Sequence, residues 1–461
     1  MLRYGEIDKL RNGSWELDCS LIRLRPNSPD QEAFEGPGYI KNTSDGQILF
    51  KLYSSKPLKP GLELKWSKKR PRGKLIPDEL QYTLSATDIE GRHWEAEKIL
   101  PYRSGFVSAE NNTICGDIPF ELRHIKKTKY ILANACISMS FFHLVDRYIP
   151  RNIITKTDIT IEEQDLTANP WGANIAKFSS CDCNFTISQG RKDGTINLSI
   201  ESNQEKFPEG IEHKAIETLQ FILAHPLCWT VLEQNENGVE TVIINGQTKK
   251  ELTYRIYVPV HEFIDRKGEY LWKLFDKYLS YILKYKGKTK WHPMSIFIYR
   301  VILSSAAYLE TFALETAVAI EGLLLTEFKA LASPTVEFVT RLSKVSEFIN
   351  TTSGVDDTLK LRICGAIADM KKSRATDKLR ALVKSGIIEE KEYKTWKKLR
   401  NKSTHPTQPA FVELQKLLDL CNIVITLFYK LIFHTIGYEG KYMDYGTYDY
   451  PSKDFPPVGK D

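Results

Sequence analysis

Phe411-Val412-Glu413-Leu414-Gln415-Lys416-Leu417-Leu418-Asp419-Leu420-Cys421-Asn422-Ile423-Val424-Ile425-Thr426-Leu427-Phe428-Tyr429-Lys430-Leu431-Ile432 fixes the architecture of the second half of this chain. Phe411, Leu414, Leu417, Leu418, Cys421, Val424, Ile425, Phe428, Leu431 and Ile432 advance by three, three and one in repeating order, one helical face over more than about five turns. A stripe of that length has to be covered by other helices. Upstream, Leu271, Leu274, Phe275, Tyr278 and Ile282 mark an amphipathic helix, and Ile296 to Phe328 reads as one long buried central helix. Val336, Val339, Leu342 and Val345 mark another. The spacing predicts an all-α bundle over 263–436 and a Tyr-rich tail over 437–461. Tyr438, Tyr442, Tyr445, Tyr448 and Tyr450 sit there among acidic residues, a composition that suits wrapping its own domain or a partner better than holding phosphate.

Just before the stripe lies Leu399-Arg400-Asn401-Lys402-Ser403-Thr404-His405-Pro406. Lys391 to Asn401 reads as a helix, and Pro406 disfavours helical geometry at His405, so Arg400 and His405 belong to a helix end. Arginine braces phosphate with a rigid fork of donors, and histidine exchanges protons near neutral pH. Together they suggest chemistry on a phosphodiester. Five residues on an ideal helix amount to about 140° around the axis, so the two side chains meet only if the chain breaks after the helix or a second chain supplies one of them. The same residues also suit a helix cap, since Asn and His satisfy terminal carbonyls.

The approach to this motif is basic. Between Lys371 and Lys402 there are twelve Lys or Arg and four Asp or Glu, 12 − 4 = +8, although the whole chain carries only +6. Lys394, Lys397, Lys398 and Lys402 are the candidate phosphate contacts, against the simpler reading of a solvated helix face. Glu310, Glu315 and Glu321 lie in the long apolar helix, where a carboxylate is costly unless paired. Glu315 is the one expected to face Arg400.

Residues 1–262 are β-rich. Ile48–Tyr53, Tyr82–Ala86 and Tyr130–Ala135 are short apolar runs between Gly, Pro and Asn, and Glu90-Gly91 turns one strand into Trp94 to Leu100. A break at Asn169-Pro170-Trp171-Gly172 leads to two domains, a β-rich sandwich or barrel over 1–165 and a smaller β-rich domain over 166–262. In the smaller one Asp193-Gly194 and Asn237-Gly238 each sit between strand-like runs, a strong hairpin signal. Ile211, Ala215, Ile216, Leu219 and Ile222 predict one helix packed across that small sheet. The fold class is therefore α+β and multidomain.

Composition bounds the rest. The chain has 461 residues, 42% hydrophobic and 26% charged, which supports several folded domains. No uninterrupted apolar run of about 18 residues offers a membrane span, and the N-terminus lacks a signal-like segment, so a cytoplasmic protein with no membrane partner is expected. Eight scattered cysteines read as reduced core residues, and Cys181-x-Cys183 as an alternating strand more readily than a metal pair. No H-E-x-x-H, paired C-x-x-C or Asp-rich cluster points to a metal, and no cofactor is expected.

Arg400-Asn401-x-x-x-His405, at a helix end and ahead of a long bundle helix, resembles the R-polar-x(3)-H signature of HEPN domains. The order of β-rich regions before such a bundle is similar to the ApeA-type anti-phage proteins. The resemblance implies a metal-independent endoribonuclease acting as a homodimer, with motifs of two protomers facing each other. It implies that His405 is the general acid or base toward the ribose 2′-hydroxyl, that Arg400 stabilises the phosphorane and that Asn401 positions one of them. RNA is the implied substrate. The β-rich part is left to recognition of a phage-derived trigger or regulatory protein, and a non-catalytic RNA- or protein-binding bundle is the alternative.

Overall fold

Alternating polarity builds the first half of the molecule. Along Glu16–Pro26 buried and exposed residues alternate, which sends Leu17, Cys19, Ile22 and Leu24 into the core from one face of the strand. The structure, a computed structural model, describes residues 2, 5–57, 75–103, 112–127, 136–141, 174–189, 196–202, 204, 206–236, 238–246, 257–261, 268–403 and 411–457. It has two compact units. Met1–Glu212 and Leu227–Leu252 form one; His213–Pro226 and Thr253–Asp461 form the other.

In the first unit a short helix, α1 (Glu6–Arg11), precedes one sheet that contains fourteen strands among the described residues. Every described pairing in it is antiparallel. So many twisted strands cannot stay flat, and Phe50, Leu84, Trp94 and Leu122, each at most 1% exposed, share one core. Trp15 meets Trp94 edge-on there at 6.1 Å.

This single sheet corrects the division into domains over 1–165 and 166–262. Cys136–Phe141 pairs on one side with Ile196–Ser202 and on the other with Trp229–Glu236, so strands from both sides of the expected boundary share one ladder. Hydrogen bonding of Cys136–Phe141 to two strands far along the chain outweighed the local punctuation that suggested a break. The hairpin pairings themselves form. Trp229–Glu236 runs antiparallel to Val239–Asn245, with Gly238 at φ 73° in the turn, and Cys183–Gln189 to Ile196–Ser202. Asp193-Gly194, the Asn169 to Gly172 break and the expected strand at Tyr130–Ala135 lie outside the described residues. Cys181 and Asp182, at φ 51° and 60°, make a two-residue turn that joins Ser180 to Cys183. Cys183 is a free, buried thiol, and burial pushes it up to about 11.

The second unit is helical. The helix expected to lie over a small sheet, α2 (Ile211–Leu223), has residues 213–223 in this unit, a second correction. Its Phe221 packs against Tyr278 and Tyr429, ring centroids 4.7 and 6.1 Å apart. The remaining helices are α3 (Glu269–Ile282), α4 (Pro293–Ser304), α5 (Leu309–Thr326), α6 (Val336–Thr351), α7 (Asp357–Met370), α8 (Ala375–Lys384), α9 (Glu390–Ser403) and α10 (Phe411–Ile436). The single long helix expected over Ile296 to Phe328 is two helices. Ser304 and Ser305 turn their hydroxyls back onto the carbonyls of Val301 and Ile302, at 2.8 and 2.7 Å, and end α4.

From Cys421 onward α10 is enclosed on nearly all sides, with Leu427, Phe428, Tyr429, Lys430 and Leu431 each at most 4% exposed. Leu414–Ile436 is long and apolar enough to cross a membrane by length and composition, although Lys430 and His434 interrupt it; 67% of its most apolar window is buried inside the protein. By that burial it is the central core helix of the unit. In contrast, α6 buries no residue and α7 only Ile367, which leaves Phe348 and Leu361 68% and 77% exposed on a projecting hairpin. The tail folds back on the helical unit. Gly440–Met443 pairs with Ser452–Phe455, Tyr438 and Tyr442 are buried, and the Tyr445 hydroxyl donates to the Val258 carbonyl at 2.7 Å. Tyr257 stacks on Phe312 at 5.4 Å, so the helical unit takes in residues that the boundary at 262 assigned to the β-rich part.

His292 ties pH to this packing. It caps α4, accepting at Nδ1 from the Met294 N–H at 3.1 Å, and burial together with the Lys214 charge pushes it down to about 4. His213 is likewise held near 4, by burial and by Lys290 and Lys214. Unfolded, both rings take up a proton near pH 6.5, while folded they resist until about 4, so the unit loses stability as pH falls through that interval. The urea midpoint of the helical unit is expected to drop between pH 7 and pH 4.5. His292→Asn, which keeps a cap acceptor without titrating, should flatten the drop; an unchanged slope would contradict the assignment.

Candidate functional site

Helix α9 is amphipathic over a basic sequence, and its apolar residues decide where its charges stand. Tyr393, Trp396 and Leu399 are buried. The Trp396 Nε1–H donates to the Ala317 carbonyl of α5 at 3.2 Å, which fixes the rotation of α9 against that helix. One turn on from each of these residues, Arg400 meets Glu321. Arg400 Nε donates to Oε2 at 2.9 Å and Nη2 to Oε1 at 3.1 Å, a bidentate pair. The guanidinium also lies 6.0 Å from the Trp396 ring centroid. Matched i, i+4 steps on both helices therefore set the arginine.

Glu321, not Glu315, is the carboxylate that Arg400 meets. Glu315 pairs with Arg300 of α4 at 3.0 Å, and Glu310 is exposed. The correction is geometric. Glu315 precedes Ala317 by two residues, about 200° around the helix, and so faces away from α9, whereas Glu321 follows Ala317 by one turn. Sequence shows three acidic residues in an apolar helix; only the register against Trp396 selects among them.

The Arg400 side chain is 45% exposed and that of Glu321 33%. This is a rigid cation at the solvent boundary. Asn401 follows it, exposed, in the last turn of α9, which the structure describes to Ser403. Thr404, His405 and Pro406 lie outside the described residues. Of the candidate phosphate contacts, Lys394 and Lys397 line one cleft with Arg380 and Lys384 of α8, and Lys398 is exposed on α9. Lys394 also pairs with Glu390 at 3.4 Å. The side chain of Lys402 lies outside the described residues.

Two further charges sit behind this surface. Lys378 is 2% exposed and donates to the Leu324 carbonyl at 2.9 Å near the end of α5; burial pulls it below the ordinary lysine range. Lys430 of α10 is 2% exposed and lies 2.8 Å from Glu392. Both serve packing. Among the described residues no group of three or more His, Cys, Asp or Glu could hold a metal ion.

Compared with family models, curated proteins and solved structures, the chain finds no match. The reading of the site rests on its own residues.

Proposed function

We propose that the helical unit is a HEPN-type, metal-independent endoribonuclease. The observation that carries this reading is Arg400 itself, clamped in two places by Glu321 and still 45% exposed, in the six-residue pattern Arg-Asn-x-x-x-His at the end of α9. In the proposed reaction the ribose 2′-oxygen attacks phosphorus and the P–O5′ bond breaks, giving a 2′,3′-cyclic phosphate and a 5′-hydroxyl. His405 takes the 2′-hydroxyl proton or returns one to the leaving 5′-oxygen, Arg400 stabilises negative charge on the phosphorane, and Asn401 orients one of the two. Glu321 is a positioning residue: it sets the plane of the guanidinium without touching RNA.

A homodimer supplies the second half of each site in this proposal, since Arg400 and His405 sit about 140° apart if the helical geometry continues. A break in the chain before Pro406 would instead let one protomer supply both residues. The β-rich unit is assigned to recognition of a phage-derived trigger or regulatory protein in a cytoplasmic defence system. The second reading, a bundle that binds RNA or protein without cutting, draws on the same ion pair: a guanidinium already engaged by a carboxylate also serves simply to lock α9 to α5.

Incubation of the full chain with mixed single-stranded RNA in EDTA separates the two. Cleavage that His405→Ala abolishes supports the nuclease. Intact RNA that is nonetheless retained in a gel-shift assay supports the binding module and overturns the reaction.

A further inference from the structure

The cleft between α8 and α9 has a charge balance that packing does not explain. It is an open depression of about 440 Å³, and its walls carry Arg380 and Lys384 from α8 and Lys394 and Lys397 from α9. The one carboxylate on it, Glu390, already pairs with Lys394. Four cations thus face one anion in a concave space. Arg380 and Lys384 stand at i, i+4, a spacing at which like charges destabilise a helix. A solvated helix face would spread such charges outward, whereas a cleft focuses their field on whatever enters.

The walls are also ordered. The Arg380 guanidinium lies 5.7 Å from the ring centroid of Tyr393, which is only 5% exposed, so a buried ring holds the cation at the cleft surface. Along α9, Lys394, Lys397 and Asn401 recur at i, i+3 and i+7 on one face, with Arg400 at its edge. At 1.5 Å of rise per residue, Lys397 stands about 4.5 Å and Lys394 about 9 Å before Arg400 along the axis. The α9 wall of the cleft therefore runs along the helix toward Arg400, which itself stands outside the lining.

We propose that this cleft is the docking track for the phosphodiester backbone of single-stranded RNA, with Arg380, Lys384 and Lys397 as its phosphate contacts. It takes the identity of the strand from the ribonuclease reading above, but the contact is separable from the chemistry. A single strand is the form proposed, because the cations stand on both walls of the cleft, where a strand lying between them meets both sets.

Binding is measured by fluorescence anisotropy of an end-labelled 20-nucleotide RNA, on the full chain carrying Arg400→Ala so that the probe stays intact. Adding Arg380→Gln, Lys384→Gln and Lys397→Gln is expected to weaken binding at least about tenfold at 0.1 M salt and to flatten the plot of log affinity against log salt by about 2, near 0.7 per lost phosphate contact. Lys329→Gln, Lys344→Gln and Lys360→Gln, which remove the same charge elsewhere on the unit, should leave both nearly unchanged. Equal losses in the two triple variants would overturn the proposal, as would parental binding by the cleft variant. A heparin fragment of matched charge that binds as tightly and with the same variant sensitivity would make the cleft a general polyanion site and overturn the RNA assignment. The two readings fail separately. A chain that never cuts RNA yet loses binding through the cleft residues keeps the track and loses the nuclease; a chain that cuts through Arg400 with unchanged binding in the cleft variant keeps the nuclease and loses the track.

Discussion

Arg400→Ala is expected to lower RNA cleavage by about 10²–10³-fold, the range for removing one preorganised donor aimed at developing charge. The fold should survive it. The pair with Glu321 is partly exposed at both ends, 45% and 33%, and such pairs contribute only about 0–1 kcal/mol. Arg400→Lys keeps a cation but loses the planar fork that Glu321 holds by two oxygens, so activity between wild type and alanine is expected. Glu321→Gln should fall short of the alanine effect, because the guanidinium stays in place with one weaker contact, and Arg300→Gln, which frees Glu315 instead, should leave cleavage unchanged. Initial rates on one labelled RNA, with circular dichroism of each variant, check the series. Equal activity in Arg400→Ala and wild type would remove the arginine from the reaction.

The second large effect is on stability. Lys430 is 2% exposed inside the helical unit, with Nζ 2.8 Å from Glu392 and 3.9 Å from Glu389. Glu392 also accepts the Glu389 N–H at 2.7 Å in the first turn of α9, and burial pushes its carboxyl above the ordinary range despite the lysine beside it. For the Glu392 carboxyl desolvation thus outweighs attraction, and in a buried pair of this kind removing one partner costs much more than removing both. Lys430→Met is expected to destabilise the unit by about 3–5 kcal/mol, read as a lower urea midpoint at unchanged slope. Lys430→Met with Glu392→Gln, which retains an acceptor for Glu389, should recover most of the loss. A double variant no more stable than the single one would contradict this account of the pair.

Local pattern made much of the fold legible. Period-two runs at Ile48–Tyr53 and Tyr82–Ala86 became strands, Gly91 turned between strands at φ 81°, and the stripe from Phe411 became α10. What local pattern does not carry is which strand pairs with which. Cys136–Phe141 reaches partners on both sides of a long intervening segment, so one sheet appeared where punctuation suggested two domains. The side chains that finish turns were equally silent: Asp88 accepts from the N–H groups of Glu90 and Arg92, from Arg92 Nε and from Trp94 Nε1, yet reads in sequence as an ordinary strand-end acid. At the candidate site, the residue types and the basic approach were visible along one helix, while Glu321 depended on how α5 rotates against Trp396. The contribution of Arg380 and Lys384 depended in the same way on the packing of α8 beside α9.

The central claim is that this chain cuts RNA through Arg400 without a metal, and the chemistry of the new ends tests it most directly. Wild type and Arg400→Ala are incubated with one labelled RNA in excess EDTA, and the fragments are analysed by mass spectrometry. The account predicts 2′,3′-cyclic phosphate and 5′-hydroxyl ends from wild type and almost none from the variant. Fragments ending in 3′-hydroxyl and 5′-phosphate, or cleavage that EDTA abolishes, would contradict it.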